Sequence, residues 1–191
     1  MKREDLLRVF SHMPTLQTQR LLLRPMRVSD TDDMYEYAKD PEVTRYLLWR
    51  PHTCREYTRS YLEYLAGRYR LGAHYEWAMI HRESGRMIGT CGFASIDCPN
   101  ACAELGYVLN PDFRGQGLVV EAARCVMDFA FNTLSLHRIE ARYMIENLAS
   151  RRVMDKLGMR FEGVARSSLL VKGLYRDIGK CAILKEEFKA E

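Results

Sequence analysis

Between Tyr107 and Ala122 the chain passes from an apolar, strand-like run through Asn-Pro-Asp-Phe-Arg-Gly-Gln-Gly into a helix-like one. Glycines at 115 and 117 let the backbone come close to a ligand. The first N–H groups of a helix beginning there have no intrahelical acceptors, so they are free to face an anion. The positive end of the helix dipole and the guanidinium of Arg114 at the rim add to that attraction, and the segment reads as a pyrophosphate cradle. Two nucleotide readings fail on spacing. A Walker loop needs Lys-Ser or Lys-Thr after its last glycine, whereas Gly117 is followed by Leu118 and Val119. The dinucleotide fingerprint needs a third glycine where Val120 stands. A ligand-free strand-to-helix turn also uses Gly-x-Gly, so the flanks must decide.

A second run, Met144-Ile-Glu-Asn-Leu-Ala-Ser-Arg-Arg-Val-Met-Asp-Lys-Leu-Gly158, reads as a strand end, a short helix and a glycine stop. With the first run in place, the chain resembles the GCN5-related N-acetyltransferase superfamily, and within it the branch that acetylates the N-termini of ribosomal proteins. The resemblance extends from Leu16 to Glu187 and rests on three signatures in order. They are Leu16-Gln-Thr-Gln-Arg-Leu-Leu-Leu-Arg24, the glycine loop, and Asn147-Leu-Ala-Ser150 followed by Lys156-Leu-Gly158. It implies acetyl-CoA as co-substrate and no metal. The pyrophosphate would lie on Arg114, Gly115, Gln116, Gly117, Leu118 and Val119, with Val119 standing where the superfamily has a small residue. The pantetheine arm would enter between two parted strands, pairing with backbone groups around Val108 and Leu109 as an added strand does. Asn147, which both donates and accepts, suits an amide of the same arm; capping the following helix is its other natural use.

Acetyl transfer to an amine needs a neutral nitrogen, a polarised thioester carbonyl and a leaving thiolate that gains a proton. Glu104, on the strand leading to the cradle, is the candidate base, and a solvated strand carboxylate is the alternative. Most of the superfamily serves the thiolate with a tyrosine four residues before the closing glycine. Here that position is Met154, which has no proton to give. Similarity to the ribosomal-protein branch assigns the role to Ser150, one turn earlier on the same helix face; an N-cap serine is the alternative. Tyr46, Trp49 and Arg50, and the late-strand trio Tyr175-Arg176-Asp177, are candidates for recognising the acceptor, against a purely packing role. The acceptor implied is a primary amine, foremost a protein N-terminal α-amine. A small-amine acetyltransferase acting on a polyamine, amino sugar or amino acid is the runner-up. A non-catalytic acyl-CoA-binding module, favoured by Met154 and Val119, is the third reading.

These residues need a scaffold, and hydrophobic periodicity outlines one. Leu6, Leu7 and Phe10 recur at helical spacing before Pro14, giving an N-terminal amphipathic helix within residues 1–14 that packs on the domain or on a partner chain, which leaves a homodimer open. The acetyltransferase domain would then span 15–191. Residues 20–24 read as a strand. Ser29 with Asp32 forms a capping box for a helix through Met34 and Tyr37, and Thr53 with Glu56 a second box for a longer helix carrying Tyr57, Tyr61, Leu62 and Leu65. The period then turns strand-like at 76–81, 87–96 and 101–109, the first two joined by a Glu-Ser-Gly turn. The loop and helix of 114–133 follow, then a strand at 138–145, a helix at 149–157, and strands at 161–170 and 175–184. That order predicts an α+β, or mixed α/β, single domain: a central mixed sheet with helices on both faces, parted at one point as the resemblance implies.

Composition agrees. The chain has 191 residues and 47% hydrophobic content, enough for one sizeable core. A net charge of +4, from 29 basic and 25 acidic residues, is too mild for a direct nucleic-acid binder. Six cysteines show neither zinc nor secreted spacing, and none has an adjacent His or basic pair to activate it, so they read as reduced and mostly buried. No signal-type segment or apolar stretch of about 18 residues stands out, so no membrane association and a cytoplasmic location are expected.

Overall fold

The computed structural model describes residues 2–189, so the outermost ends of the expected 1–14 and 15–191 segments lie outside the described residues. In chain order the elements are α1 (Arg3–Ser11), β1 (Leu16–Gln17), β2 (Leu21–Arg24), α2 (Thr31–Ala38), α3 (Pro41–Thr44), α4 (Arg55–Arg70), β3 (Tyr75–His81), β4 (Met87–Asp97) and β5 (Cys102–Leu109). They continue with α5 (Leu118–Asp128), β6 (Arg138–Met144), α6 (Leu148–Lys156), β7 (Arg160–Val171) and β8 (Leu174–Leu184). The eight strands form one sheet in the order β1-β2-β3-β4-β5-β6-β8-β7. All neighbours are antiparallel except β5 and β6, which run parallel. The mixed sheet with helices on both faces is the architecture the sequence predicted.

Alternation along β3 divides the two faces. Tyr75 and Trp77 face α1 and the end of α5: the Phe10 ring sits edge-on to both, at 4.8 and 5.8 Å between centroids, and Phe129 lies 5.7 Å from Trp77. The buried indole donates from Nε1 to the Pro14 carbonyl at 2.7 Å, so its polar edge is matched. Glu76, between them, belongs to the face covered by α2 and α4, where Tyr37, Leu62, Leu65 and Tyr69 are buried. Leu6 and Phe10 of α1 are buried in the main core, which accounts for the apolar stripe of that helix.

The feature that positions the site is a short pairing. β5 and β6 are paired only from Cys102/Arg138 to Leu105/Ala141. Beyond those residues the strands part, so the backbone of residues 106–109 has a ladder partner on the β4 side only. β6 stays paired to β8 as far as Met144/Ile178.

Several local expectations are corrected. Ser29 does not cap α2; Asp30, in the preceding 3-10 turn, accepts from the Arg27 amide at 2.8 Å and holds Arg24 through both carboxylate oxygens. The cap of α4 is Cys54, whose Sγ accepts from the Tyr57 amide, rather than Thr53. Of the six cysteines, all free, Cys91 and Cys181 are buried and the other four only half-buried. Cys181 also has a basic neighbour in space, since Arg151 Nη1 lies 2.7 Å from its Sγ.

Candidate active site

The glycine loop between β5 and α5 is built as an anion site. Gly115 and Gly117 both have left-handed backbone, φ +78° and +77°, which a side chain would strain. Gly117 caps α5 and its carbonyl accepts from the Glu121 amide, whereas among the described residues the amides of 115–120 donate to no protein acceptor. Arg114 stands exposed beside them and enters no ion pair among the described residues. The loop is held from behind: Arg20 donates from Nη1 to the Gln116 carbonyl at 2.9 Å and from Nε to Glu121 at 2.7 Å. Glu121 accepts as well from Thr18 Oγ1 at 2.6 Å and the Arg20 amide at 2.8 Å. Burial raises the Glu121 carboxyl, but these bonds outweigh it and leave its pKa below the ordinary value.

The loop opens into a cavity of about 940 Å³ that runs through the gap between β5 and β6. Its wall includes Arg114, Gly115, Gly117, Leu118 and Val119 at the loop, Val108 and Leu109 on β5, and Asn147 and Ser150 on α6. Gln116 is not on the wall; its carbonyl is tied to Arg20. The Val119 side chain is buried in the main core. Free amides, positive-φ glycines and an open cavity suit a diphosphate with an extended tail, so the residues present fit CoA.

At the inner end of the gap, Ser150 Oγ lies 2.9 Å from the hydroxyl of Tyr107, which also donates to the Ser150 carbonyl at 3.1 Å. Tyr107 is nearly buried, and burial raises its pKa far above the usual range, so the phenol stays protonated. The cap of α6 is Asn147, whose Oδ1 accepts from the Ser150 amide at 3.1 Å, leaving its Nδ2 to donate elsewhere. Met154 is buried at 1% exposure.

Two carboxylates face the other side of β5. Glu104 is gripped by Arg142, Oε1 to Nε at 2.8 Å and Oε2 to Nη2 at 2.7 Å. The Glu76 carboxylate, also on the cavity wall, accepts no hydrogen bond from any described residue, although the backbone carbonyl of Glu76 accepts from Tyr69 Oη at 2.5 Å; its one charged contact is His74 Nε2 at 3.5 Å. Desolvation pushes its pKa up to about 7, and the same burial lowers that of His74 to about 4. Sequence reading passed over Glu76, Tyr107 and Arg20. Glu76 and Tyr107 sit in strand-like runs with nothing local to distinguish them, and Arg20 entered only as part of a signature.

Tyr46 and Trp49 line the cavity with Val43, Leu47 and Leu48. Trp49 leans on His52, with ring centroids 5.3 Å apart, and Tyr46 lies under the Arg45 guanidinium at 5.3 Å. Tyr175 is elsewhere: it is 70% exposed on the β7–β8 hairpin and contributes nothing to the wall.

Comparison with known proteins agrees with this geometry. The acetyltransferase (GNAT) domain family matches residues 20–160. The uncharacterized N-acetyltransferase p20 of Bacillus licheniformis is 36% identical over 92% of this chain and 99% of its own length. A GNAT-family acetyltransferase structure from Bacillus anthracis superposes with a TM-score of 0.81 at 30% identity, covering 91% of this chain and 100% of that one. Two Escherichia coli K12 enzymes are more distant. The [ribosomal protein uS5]-alanine N-acetyltransferase is 27% identical over 85% of this chain and 86% of its own, and the spermidine N(1)-acetyltransferase is 24% identical over 94% and 92%. The chain therefore belongs to the GNAT family and is an acetyl-CoA-dependent N-acetyltransferase.

Proposed function

We propose that the acceptor is the α-amine at the end of a protein chain, as it is for the uS5-alanine relative. The observation that carries this reading is the make-up of the acceptor wall. Val43, Tyr46, Leu47, Leu48, Trp49 and Leu169 give it an apolar surface. Of the carboxylates beside them, Glu104 is paired with Arg142, Asp155 with Arg151, and Glu42 lies 3.6 Å from Arg45. Only Glu76 has no Arg or Lys partner among the described residues. A polyamine carries several charges and needs several free carboxylates spaced along its length. A chain terminus offers one ammonium followed by side chains, which suits one carboxylate in an apolar cleft.

In this reading Arg114 and the amides of 115–120 hold the diphosphate, and the open edge of β5 at 106–109 pairs with the arm. When bound, acetyl-CoA supplies an activated acetyl thioester at the inner end of the gap. Ser150, held in place by Tyr107, turns its hydroxyl proton from the tyrosine oxygen to the departing sulfur as charge develops there. The apolar acceptor wall excludes water and orients the amine.

The test is thiol release from acetyl-CoA with Ala- and Ser-terminated peptides compared with spermidine, glucosamine and lysine. The reading expects kcat/KM for the best peptide to exceed that for every small amine by at least about tenfold, on the order of 1.4 kcal/mol of discrimination. Preference for spermidine would overturn it in favour of the polyamine alternative.

A further inference from the structure

The strand register brings Glu76 to the point where the sheet opens. Glu76 on β3 stands opposite Gly92 on β4, and Gly92 stands opposite Gly106 on β5. Gly106 is the first residue of β5 beyond the last β5–β6 pair, Leu105/Ala141. The two glycines make a trough across the sheet. A Cβ at Gly92 would lie 2.4 Å from the Glu76 Cα and 2.3 Å from the Tyr75 carbonyl, so no side chain fits there. A Cβ at Gly106 would lie 3.9 Å from Glu76 Oε1. The carboxylate thus spans β4 and ends above Gly106, with the side chain 25% exposed and on the cavity wall. Tyr107, the next residue, points to the opposite face and holds Ser150. One strand therefore separates a carboxylate on the acceptor side from a hydroxyl on the α6 side.

We propose that Glu76, rather than Glu104, takes the proton from the acceptor ammonium in this enzyme. The inference rests on the acetyl-transfer reading of the site and names the base within it. Glu104 has both oxygens committed to Arg142, whereas the Glu76 carboxylate has no hydrogen-bond donor among the described residues. The balance is simple. One proton moves from the ammonium nitrogen to Glu76 and on to solvent, which leaves a lone pair on nitrogen. As the C–N bond forms and the C–S bond breaks, nitrogen sheds its second proton, and the sulfur leaves as a thiol after gaining one. The titratable groups around Glu76 are His74 just before its strand, Tyr37 from α2, Tyr61 and Tyr69 from α4, and Cys91 from β4. Burial keeps all five uncharged between pH 6 and 9, with His74 shifted down to about 4, Tyr61 up to about 12 and the other three raised further.

Steady-state turnover of the full-length enzyme with a peptide α-amine, measured from pH 6 to 9.5, tests the assignment. Glu76→Gln is expected to lower kcat about 100-fold at pH 7, the usual size of a general-base contribution. The deficit should shrink below about tenfold at pH 9.5, where the amine, of ordinary pKa about 8, arrives already neutral. Glu76→Asp, which keeps a carboxylate one methylene short, should retain the wild-type pH profile at a lower rate. CoA affinity by calorimetry should be unchanged in both, which also reports that they are folded. An equal loss for Glu76→Gln at every pH, or no loss, would overturn the proposal while leaving acetyl transfer in place. Failure of the wild-type enzyme to release thiol with any amine would instead remove the reading beneath it.

Discussion

The hydroxyl of Tyr107 sits 2.9 Å from Ser150 Oγ, joining the strand that lines the gap to the helix that closes it. Neither residue reaches the other through sequence proximity; the contact exists because β5 and β6 part and α6 packs across the opening. It gives the serine a fixed orientation in an enzyme whose usual tyrosine position is the buried Met154. Tyr107→Phe should therefore lower kcat about fivefold, the worth of one neutral hydrogen bond, with CoA affinity unchanged. Steady-state kinetics beside calorimetry measures this, and equal losses in both would assign the pair a purely structural role.

Arg20 acts at a distance from any ligand atom, through the Gln116 carbonyl and Glu121. Freed from that brace, the glycine loop loses its preorganisation, and the amides must be ordered by the ligand itself. Arg20→Ala is expected to weaken CoA binding about tenfold with little effect on kcat at saturating CoA. Unchanged affinity by titration would show that the loop holds its shape without the brace.

The carboxyl of Glu76 costs the fold stability at neutral pH. Its folded-state pKa is raised to about 7 by desolvation, against about 4.3 in an unfolded chain. A raised carboxyl leaves stability intact below about pH 4.3 and removes it as pH climbs through 7, because the unfolded chain releases the proton first. Glu76→Gln removes that penalty. Its melting temperature should exceed the wild type's at pH 8 by about 5–10 °C, on the order of 2–3 kcal/mol, and match it near pH 4. Thermal melts at the two pH values check this. A variant no more stable at pH 8 would mean that the carboxylate is better solvated than its position over the glycine trough implies.

Much of this was legible in the sequence, and the rest was not for identifiable reasons. The cradle could be read because its chemistry is local: Gly115, Gly117 and Arg114 lie within four residues, and the helix that follows announces itself by periodicity. The sheet order and its parting came from the family resemblance more than from pattern, since nothing in Cys102–Leu109 says where pairing with β6 stops. Asn147 and Ser150 were legible as neighbours, but not that the asparagine caps the helix by accepting from the Ser150 amide. Glu76 was invisible. Its role depends on glycines 16 and 30 residues further on, brought into line only by the register of three strands. Tyr175 stands apart from the cavity wall: a sequence trio drew it toward the acceptor, and the hairpin holds it exposed, away from the cavity lining.

The most direct measurement is isothermal titration of CoA into the wild-type enzyme and Gly117→Asp. That substitution forces a side chain onto a backbone at φ +77°, puts a carboxylate beside the Arg20 guanidinium that braces the loop, and adds negative charge to the anion site. One CoA should bind per wild-type chain, and the variant should lose at least about 100-fold in affinity, with Gly117→Ala intermediate because it carries the strain without the charge. Absence of binding to the wild type, or binding that Gly117→Asp leaves untouched, would contradict the account.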